Sequence, residues 1–564
     1  MKNLILFFTL FSSIAIIAQP QRYFDEVAEV KITKDVEFGV NVDFLKNSDF
    51  SNQAQVGADI QDLTTLLASG SSIPQKYFDP ADGSTEVKVS SLKMDIYEPA
   101  YDVITDRPVV IYIHTGNFLP PPLNGSPLGR KTDSSAIVAC TKLAKRGFVA
   151  ISIDYRLGWN PAASGPTGAV VRRATLLNAV YRAIHDVKQL VRTLREDAGN
   201  TNTYGIDPDE ITLYGEGSGG YVALAYATLD KQSETEISKF VYPGTMDSSY
   251  VQPSLVGDVD GLGGFLNLYT DNGQSTDINF VVNTGGALAD TSWLEAGDAP
   301  MVAVQCVRDP FAPFGEGTVI VPTTQEDVVD VQGANVFMEK SNALGNNTAY
   351  TSQTYNDPIT LAARSRYGNT YSYIYPPPND QITINNNVEG LFPVLRPKGA
   401  SLFQNEGAPW QWWDPNSPLA TAVVDQGPPP VTAHQASLMS NPGMSPSKGR
   451  TYIDTILGYA VPRIVAALFP NTNITGIELM EQSLNDIVKI YPNPANTELF
   501  VKAKNQDSEF TSVSILTITG KPVLSVNLSG GRAAVDISDL SPGVYLVEIH
   551  REAQNSIIKK ITVQ

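Results

Sequence analysis

Continuous apolar runs that end in polar turns alternate along most of the chain with stretches whose apolar residues return every three or four positions. Pro108-Val109-Val110-Ile111-Tyr112-Ile113 and Gly147-Phe148-Val149-Ala150-Ile151-Ser152-Ile153 are runs of the first kind, and such segments predict strands buried on both faces of a parallel sheet. Asp207-Pro208-Asp209-Glu210 turns into a shorter run, Ile211 to Tyr214, and Met301 to Val307 leads into Arg308-Asp309-Pro310. Between them Ser135 to Arg146 predicts a helix. From Val170 to Asp197 the positions Ala179, Ala183, Val187, Leu190, Val191 and Leu194 form one apolar face, the mark of a long amphipathic helix. A final helix is predicted over Tyr452 to Leu468. Strands alternating with helices predict an α/β fold, a mostly parallel sheet with helices on both faces.

The pattern changes in three places. Between Thr348 and Pro430 the periodicity fails in a stretch rich in Asn, Pro and aromatics, which predicts an irregular insertion or lid at about 348–430. It contains Trp410-Gln411-Trp412-Trp413, side chains that either grip an apolar or ring-bearing ligand or pack the insertion on the body. From Ile487 to Gln564 apolar and polar residues alternate, broken at Thr519-Gly520-Lys521-Pro522, Ser529-Gly530-Gly531 and Ser541-Pro542-Gly543, as in a small antiparallel sandwich. At the other end Met1-Lys2-Asn3 precedes an apolar run from Leu4 to Ala18. That run is too short to span a bilayer and reads as a secretory signal peptide. The expected organisation is a leader at 1–18, an α/β domain at 19–470, a linker at 471–486 and a β domain at 487–564.

Composition narrows the function. Acidic residues outnumber basic ones by 59 to 40, a net charge of -19, and no basic cluster offers itself to a phosphate backbone, so nucleic acid is a poor partner. The two cysteines, Cys140 and Cys306, are too few for a disulfide framework or a thiolate metal site and read as buried apolar residues. Asp258-Val259-Asp260-Gly261 has the start of a calcium loop, but Leu262 and Tyr269 stand where later ligands belong. No metal or cofactor is expected.

Taken together, His114-Thr115-Gly116-Asn117-Phe118, Asp154-Tyr155-Arg156-Leu157-Gly158 and the run from Gly205 to Gly215 resemble, in this order, the carboxylesterase-like branch of the α/β-hydrolase family. The resemblance covers roughly Val87 to Leu344 and the last helix. It implies the α/β-hydrolase fold and hydrolysis of a carboxylic ester by a serine on a tight strand-to-helix turn, the elbow, with small residues two before and two after it. The local sequence is Gly215-Glu216-Gly217-Ser218-Gly219-Gly220, where the family has Gly-Glu-Ser-Ala-Gly-Gly. Register therefore puts Gly217 in the nucleophile slot. Ser218 is the alternative nucleophile, at the cost of Glu216 standing two residues before it with a carboxylate to satisfy. The base that the family requires falls to His434, since His114 belongs to the oxyanion loop, His185 to the long helix and His550 to the tail. Asp309 matches the acid loop and would orient the base. Gly116, Asn117 and Gly219 would donate to the oxyanion; with Gly217 at the apex, the last donor becomes the amide of Ser218.

Tyr491-Pro492-Asn493-Pro494, Asp539-Leu540-Ser541-Pro542-Gly543-Val544-Tyr545 and Lys559-Lys560-Ile561 resemble the C-terminal sorting domain of type IX secretion cargo. This implies a partner in the type IX machinery and a secreted or cell-surface location, with the tail usually removed. Three readings stay open: an exported ester hydrolase using Ser218, His434 and Asp309; a catalytically degenerate binding protein on the same fold; and a surface interaction protein that works through its insertion.

Overall fold

The computed structural model describes residues 22–46, 50–243, 248–321, 325–375, 380–470, 488–503, 510–517, 522–527, 532–551 and 554–564. The expected leader and linker lie outside the described residues. Two compact units result, one spanning Ala28–Thr472 and one that takes in the tail to Gln564.

Among the described residues the first unit is built on an eight-stranded sheet. Its members begin with β1 (Val30–Val42), β2 (Val89–Pro99), β3 (Arg107–Ile113), β4 (Val149–Ile153), β5 (Ile206–Glu216), β6 (Phe280–Thr284) and β7 (Met301–Cys306). A separate hairpin follows, β8 (Glu316–Ile320) with β9 (Asp327–Gln332), then a small pair, β10 (Thr370–Ser372) with β11 (Gln381–Thr383), and then β12 (Leu391–Val394). The sheet order is β1-β2-β4-β3-β5-β6-β7-β12. β1 and β2 are antiparallel, and from β4 onward every pairing is parallel. Every residue of β3, β4, β6 and β7 is buried, as their unbroken apolar runs require when helices cover both faces. α2 (Ser134–Lys145) and the helix Pro446–Leu468 pack together over the sheet, and α3 (Gly168–Asn200) packs with α4 (Ser218–Thr228). α1 (Gln53–Ala68) covers the β1 end through Val56 and Leu63. Cys140 and Cys306 are buried free thiols.

Two features depart from the sequence pattern. The stretch at 348–430 is not a structureless insertion, because it supplies β12, hydrogen-bonded to β7 in the main sheet. A four-residue strand carries too short a pattern to stand out among prolines and asparagines. β1 and β2 were also not anticipated, since an antiparallel edge pair with a half-exposed face lacks the continuous apolar run. The second unit forms two antiparallel sheets, Val488–Tyr491 with Glu498–Ala503 and Arg532–Asp536, and Pro522–Asn527 with Phe510–Thr517, Gly543–Arg551 and Gln554–Val563. Its core includes Leu499, Val513, Ile515, Val535, Val547 and Ile549.

Candidate functional site

β3, β5 and β7 end at one edge of the sheet, and the turns that follow them line a single cleft of about 950 Å³. The turn after β5 is the elbow. Gly217 caps α4 with φ 55° and ψ -116°, a conformation that side chains resist and glycine accepts. The neighbouring glycines fix its register physically. A Cβ on Gly215 would lie 2.2 Å from the carbonyl oxygen of Gly219, and one on Gly219 would lie 2.0 Å from that of Ile113. Gly215 and Gly219 are thus positions of close approach, as is Gly220, where a Cβ would lie 2.3 Å from Asn283 Oδ1; the residue midway between Gly215 and Gly219 is Gly217.

Thr115 has taken the space that an elbow side chain would need. Its Oγ1 lies 2.3 Å from the position of a Cβ on Gly217. Ser218, one residue on, lines the cleft but is 5% exposed, its hydroxyl 3.2 Å from the Tyr155 hydroxyl. Tyr155 spends its proton on the carbonyl of His114 at 2.9 Å, so Ser218 donates to the phenol oxygen. Burial raises the pKa of that phenol above its ordinary value, which leaves it no base at neutral pH.

The oxyanion loop holds three successive positive φ angles, 126° at Gly116, 51° at Asn117 and 56° at Phe118. For the last two this is strain of about 1–3 kcal/mol each. The Asn117 carbonyl accepts from the Trp159 indole at 2.7 Å, and Gly158 donates to the Phe118 carbonyl at 2.8 Å. The first-turn amides of α4, at Ser218 and Gly219, have no intrahelical acceptor. Gly116, Asn117 and Ser218 line the cleft, whereas Gly219 is not among the residues that do.

Asp309 follows β7 and is 2% exposed. Its Oδ1 accepts from the amides of Phe311 at 2.9 Å and Ala312 at 3.2 Å. Burial pushes its pKa up to about 7, against those two amides. Asp309 lines the cleft beside Gly285 and Gly407. The histidines of this unit are all engaged elsewhere. His114 is stacked on Tyr155 with ring centroids 4.5 Å apart and is held neutral, its pKa lowered to about 4 by burial. His185 packs against Tyr181 on α3. His434, on the helix Ala433–Ser440, accepts the Trp413 indole proton on Nδ1 at 3.1 Å. Ser218 and Asp309 therefore line one cleft, while the hydrogen bond of His434 runs to Trp413 and to neither of them.

Sequence reasoning missed the group that occupies the middle of the site. Trp410 lies against Gly285 near Asp309 and donates its indole proton to Glu216 at 3.0 Å. Glu216, whose carboxylate needs partners, also accepts from Gln411 at 2.7 Å, from Ser135 at 3.0 Å and from Tyr112. All three clustered tryptophans are buried; Trp410 and Trp413 line the cleft, while Trp412 packs on Gly449. The available signal was double: Thr115 and Gly217 depart from the family's pattern in the two loops that face each other.

Residues 94–319 match the BD-FAE family model, and residues 489–564 match the secretion system C-terminal sorting domain. Over that stretch the chain is similar to the BD-FAE family, and its fold is that of an esterase-like α/β-hydrolase. The sorting domain marks it for export by the type IX machinery to a secreted or cell-surface location. Among the described residues no helix is long and apolar enough to cross a membrane. Among solved structures, the chain is similar to a thermophilic esterase from Thermogutta terrifontis. The propionate-bound form is 19% identical, with 40% of this chain and 70% of that one covered and a TM-score of 0.25. The apo form is 18% identical over the same shares, with a TM-score of 0.26.

Proposed function

We propose that this is an exported BD-FAE-domain protein whose cleft binds a ligand without cleaving it, Gly217 standing in the nucleophile's place. What carries this is the symmetry of the turn. Gly215 and Gly219, two glycines with no room for a Cβ, flank Gly217 at equal spacing, and Gly217 has the positive φ expected of the apex. Three further facts agree with it. Thr115 fills the vacated space, Ser218 donates to a phenol that takes no proton, and the Asp309 carboxyl is hydrogen-bonded to amides rather than to an imidazole. The fold retains a large cleft with oriented amides, which serves recognition as well as it would serve chemistry.

Ester hydrolysis by Ser218 with His434 and Asp309 is the competing reading, favoured by the presence of Ser218 in the cleft lining. It requires Ser218 to turn from Tyr155 and His434 to leave Trp413. A fluorophosphonate that labels activated serines separates the two. No adduct is expected on the folded chain; a stoichiometric adduct that disappears in Ser218→Ala overturns the proposal.

A further inference from the structure

The lining of the cleft changes character from one end to the other. At the elbow it offers a few polar groups, among them the Thr115 hydroxyl and the Asp309 carboxyl. Away from it, the walls are branched aliphatic: Leu176, Leu177 and Val180 from α3, Leu229 just past α4, and Val328 and Val331 from β9. Few polar side chains interrupt these walls, among them Tyr181, Thr235 and Gln325, and none of them is charged, so most of the surface that an occupant meets there is apolar.

Charge decides the rest. Among the described residues that line the cleft there is no lysine, arginine or histidine, and the ionisable carboxylates are Asp309 and Asp425. Cations next to lining residues are turned to other tasks. Arg173 donates to the Val328 carbonyl at 2.7 Å, Arg172 pairs with Glu326, and Lys239 pairs with Asp290 at 2.7 Å. A carboxylate or phosphate head would enter this cleft with no countercharge, beside two acidic groups on a chain of net charge -19, whereas an uncharged oxygen finds donors at the elbow.

We propose that the cleft holds an uncharged long-chain amphiphile, an alcohol or ester, with its alkyl chain in the chamber between α3, α4 and the β8–β9 hairpin and its oxygenated head at the elbow. The volume, about 950 Å³, sits at the upper end of the roughly 300–1,000 Å³ of small-molecule sites and suits an extended chain. This deepens the binding reading and rests on it only for the statement that the head is held rather than cleaved.

The test is calorimetric titration of the full chain with n-alkanols from hexanol to tetradecanol, with the methyl esters and carboxylates of matching length at pH 8. Each added methylene should tighten alkanol binding about two- to fourfold until the chamber is full, and each carboxylate should bind at least about tenfold more weakly than its alcohol. Val180→Trp, at a half-buried chamber position, should abolish the gain with length while hexanol binding persists; should it fail to fold, the series on the unchanged chain still decides. Affinity that does not vary with length, absence of alkanol binding, or preference for the carboxylate overturns the proposal. Alkanols have no bond to hydrolyse, so turnover of the methyl ester would overturn the non-cleaving reading and leave the ligand class standing.

Discussion

At position 217 the chain adopts a backbone conformation suited to glycine, and a Cβ there would meet Thr115 Oγ1 at 2.3 Å. Restoring serine is therefore a two-residue problem. Gly217→Ser alone should lower stability by about 1–3 kcal/mol through overpacking and give no esterase activity, His434 being hydrogen-bonded to Trp413; combining it with Thr115→Gly should recover the part lost to the clash and leave the cost of a side chain at φ 55°. Chemical denaturation midpoints of the three proteins check this. Asp309 gives a pH test. Its pKa of about 7 in the fold, against an ordinary value near 4, means that the folded state holds a proton that the unfolded chain has lost across that interval. This group's contribution to stability falls as pH rises from about 4 to about 7 and then levels off. Asp309→Asn keeps an oxygen for the Phe311 and Ala312 amides and removes the ionisation, so the variant should gain on the wild type by up to a few kcal/mol between pH 4 and 7. Parallel stability curves for the two proteins would contradict the assignment. The glycine register at the elbow was legible in the sequence because it is local. The engagement of His434 with Trp413 was not, because nothing in a linear pattern says which of four histidines meets an aspartate 125 positions away.

Two segments distant in sequence are tied at the elbow by one carboxylate. Glu216, at the end of β5, gathers Tyr112 from β3, Ser135 from α2, and Trp410 and Gln411 from the loop beyond β12. It thus joins the oxyanion side of the cleft to the tryptophan side. Glu216→Ala would strand these donors together in a buried place, at about 1–3 kcal/mol each, so the midpoint of urea unfolding should drop sharply; Glu216→Gln, whose oxygen can accept from Trp410 and Gln411 while its amide nitrogen donates to the hydroxyls of Tyr112 and Ser135, should cost much less. Equal losses would mean that Glu216 matters only for its volume. Element by element, the long central strands and α3 were readable because burial on both faces writes an unbroken or strictly periodic pattern. β6, five residues between polar loops, and β12, four residues within a proline-rich stretch, were not, since their place in the sheet is set by neighbouring strands rather than by their own sequence.

On the scale of the whole molecule, the sorting domain and the unit that holds the cleft are separate pieces of chain. The sorting domain occupies 489–564, and the main unit ends by Thr472. Intact-mass measurement on secreted material should find a form that lacks both Met1 to Ala18 and most of the chain after about Ile487, and recovery of full-length protein would contradict this. Removal of both should leave the cleft unchanged, since every residue that lines it lies between Thr115 and Asn441. The cleft's character then rests on whether the elbow can act. Hydrolysis of an activated short-chain ester by the purified chain, measured beside Ser218→Ala, tests this most directly. The glycine apex predicts background turnover that Ser218→Ala leaves unchanged; turnover several orders of magnitude above background that collapses in Ser218→Ala would contradict it.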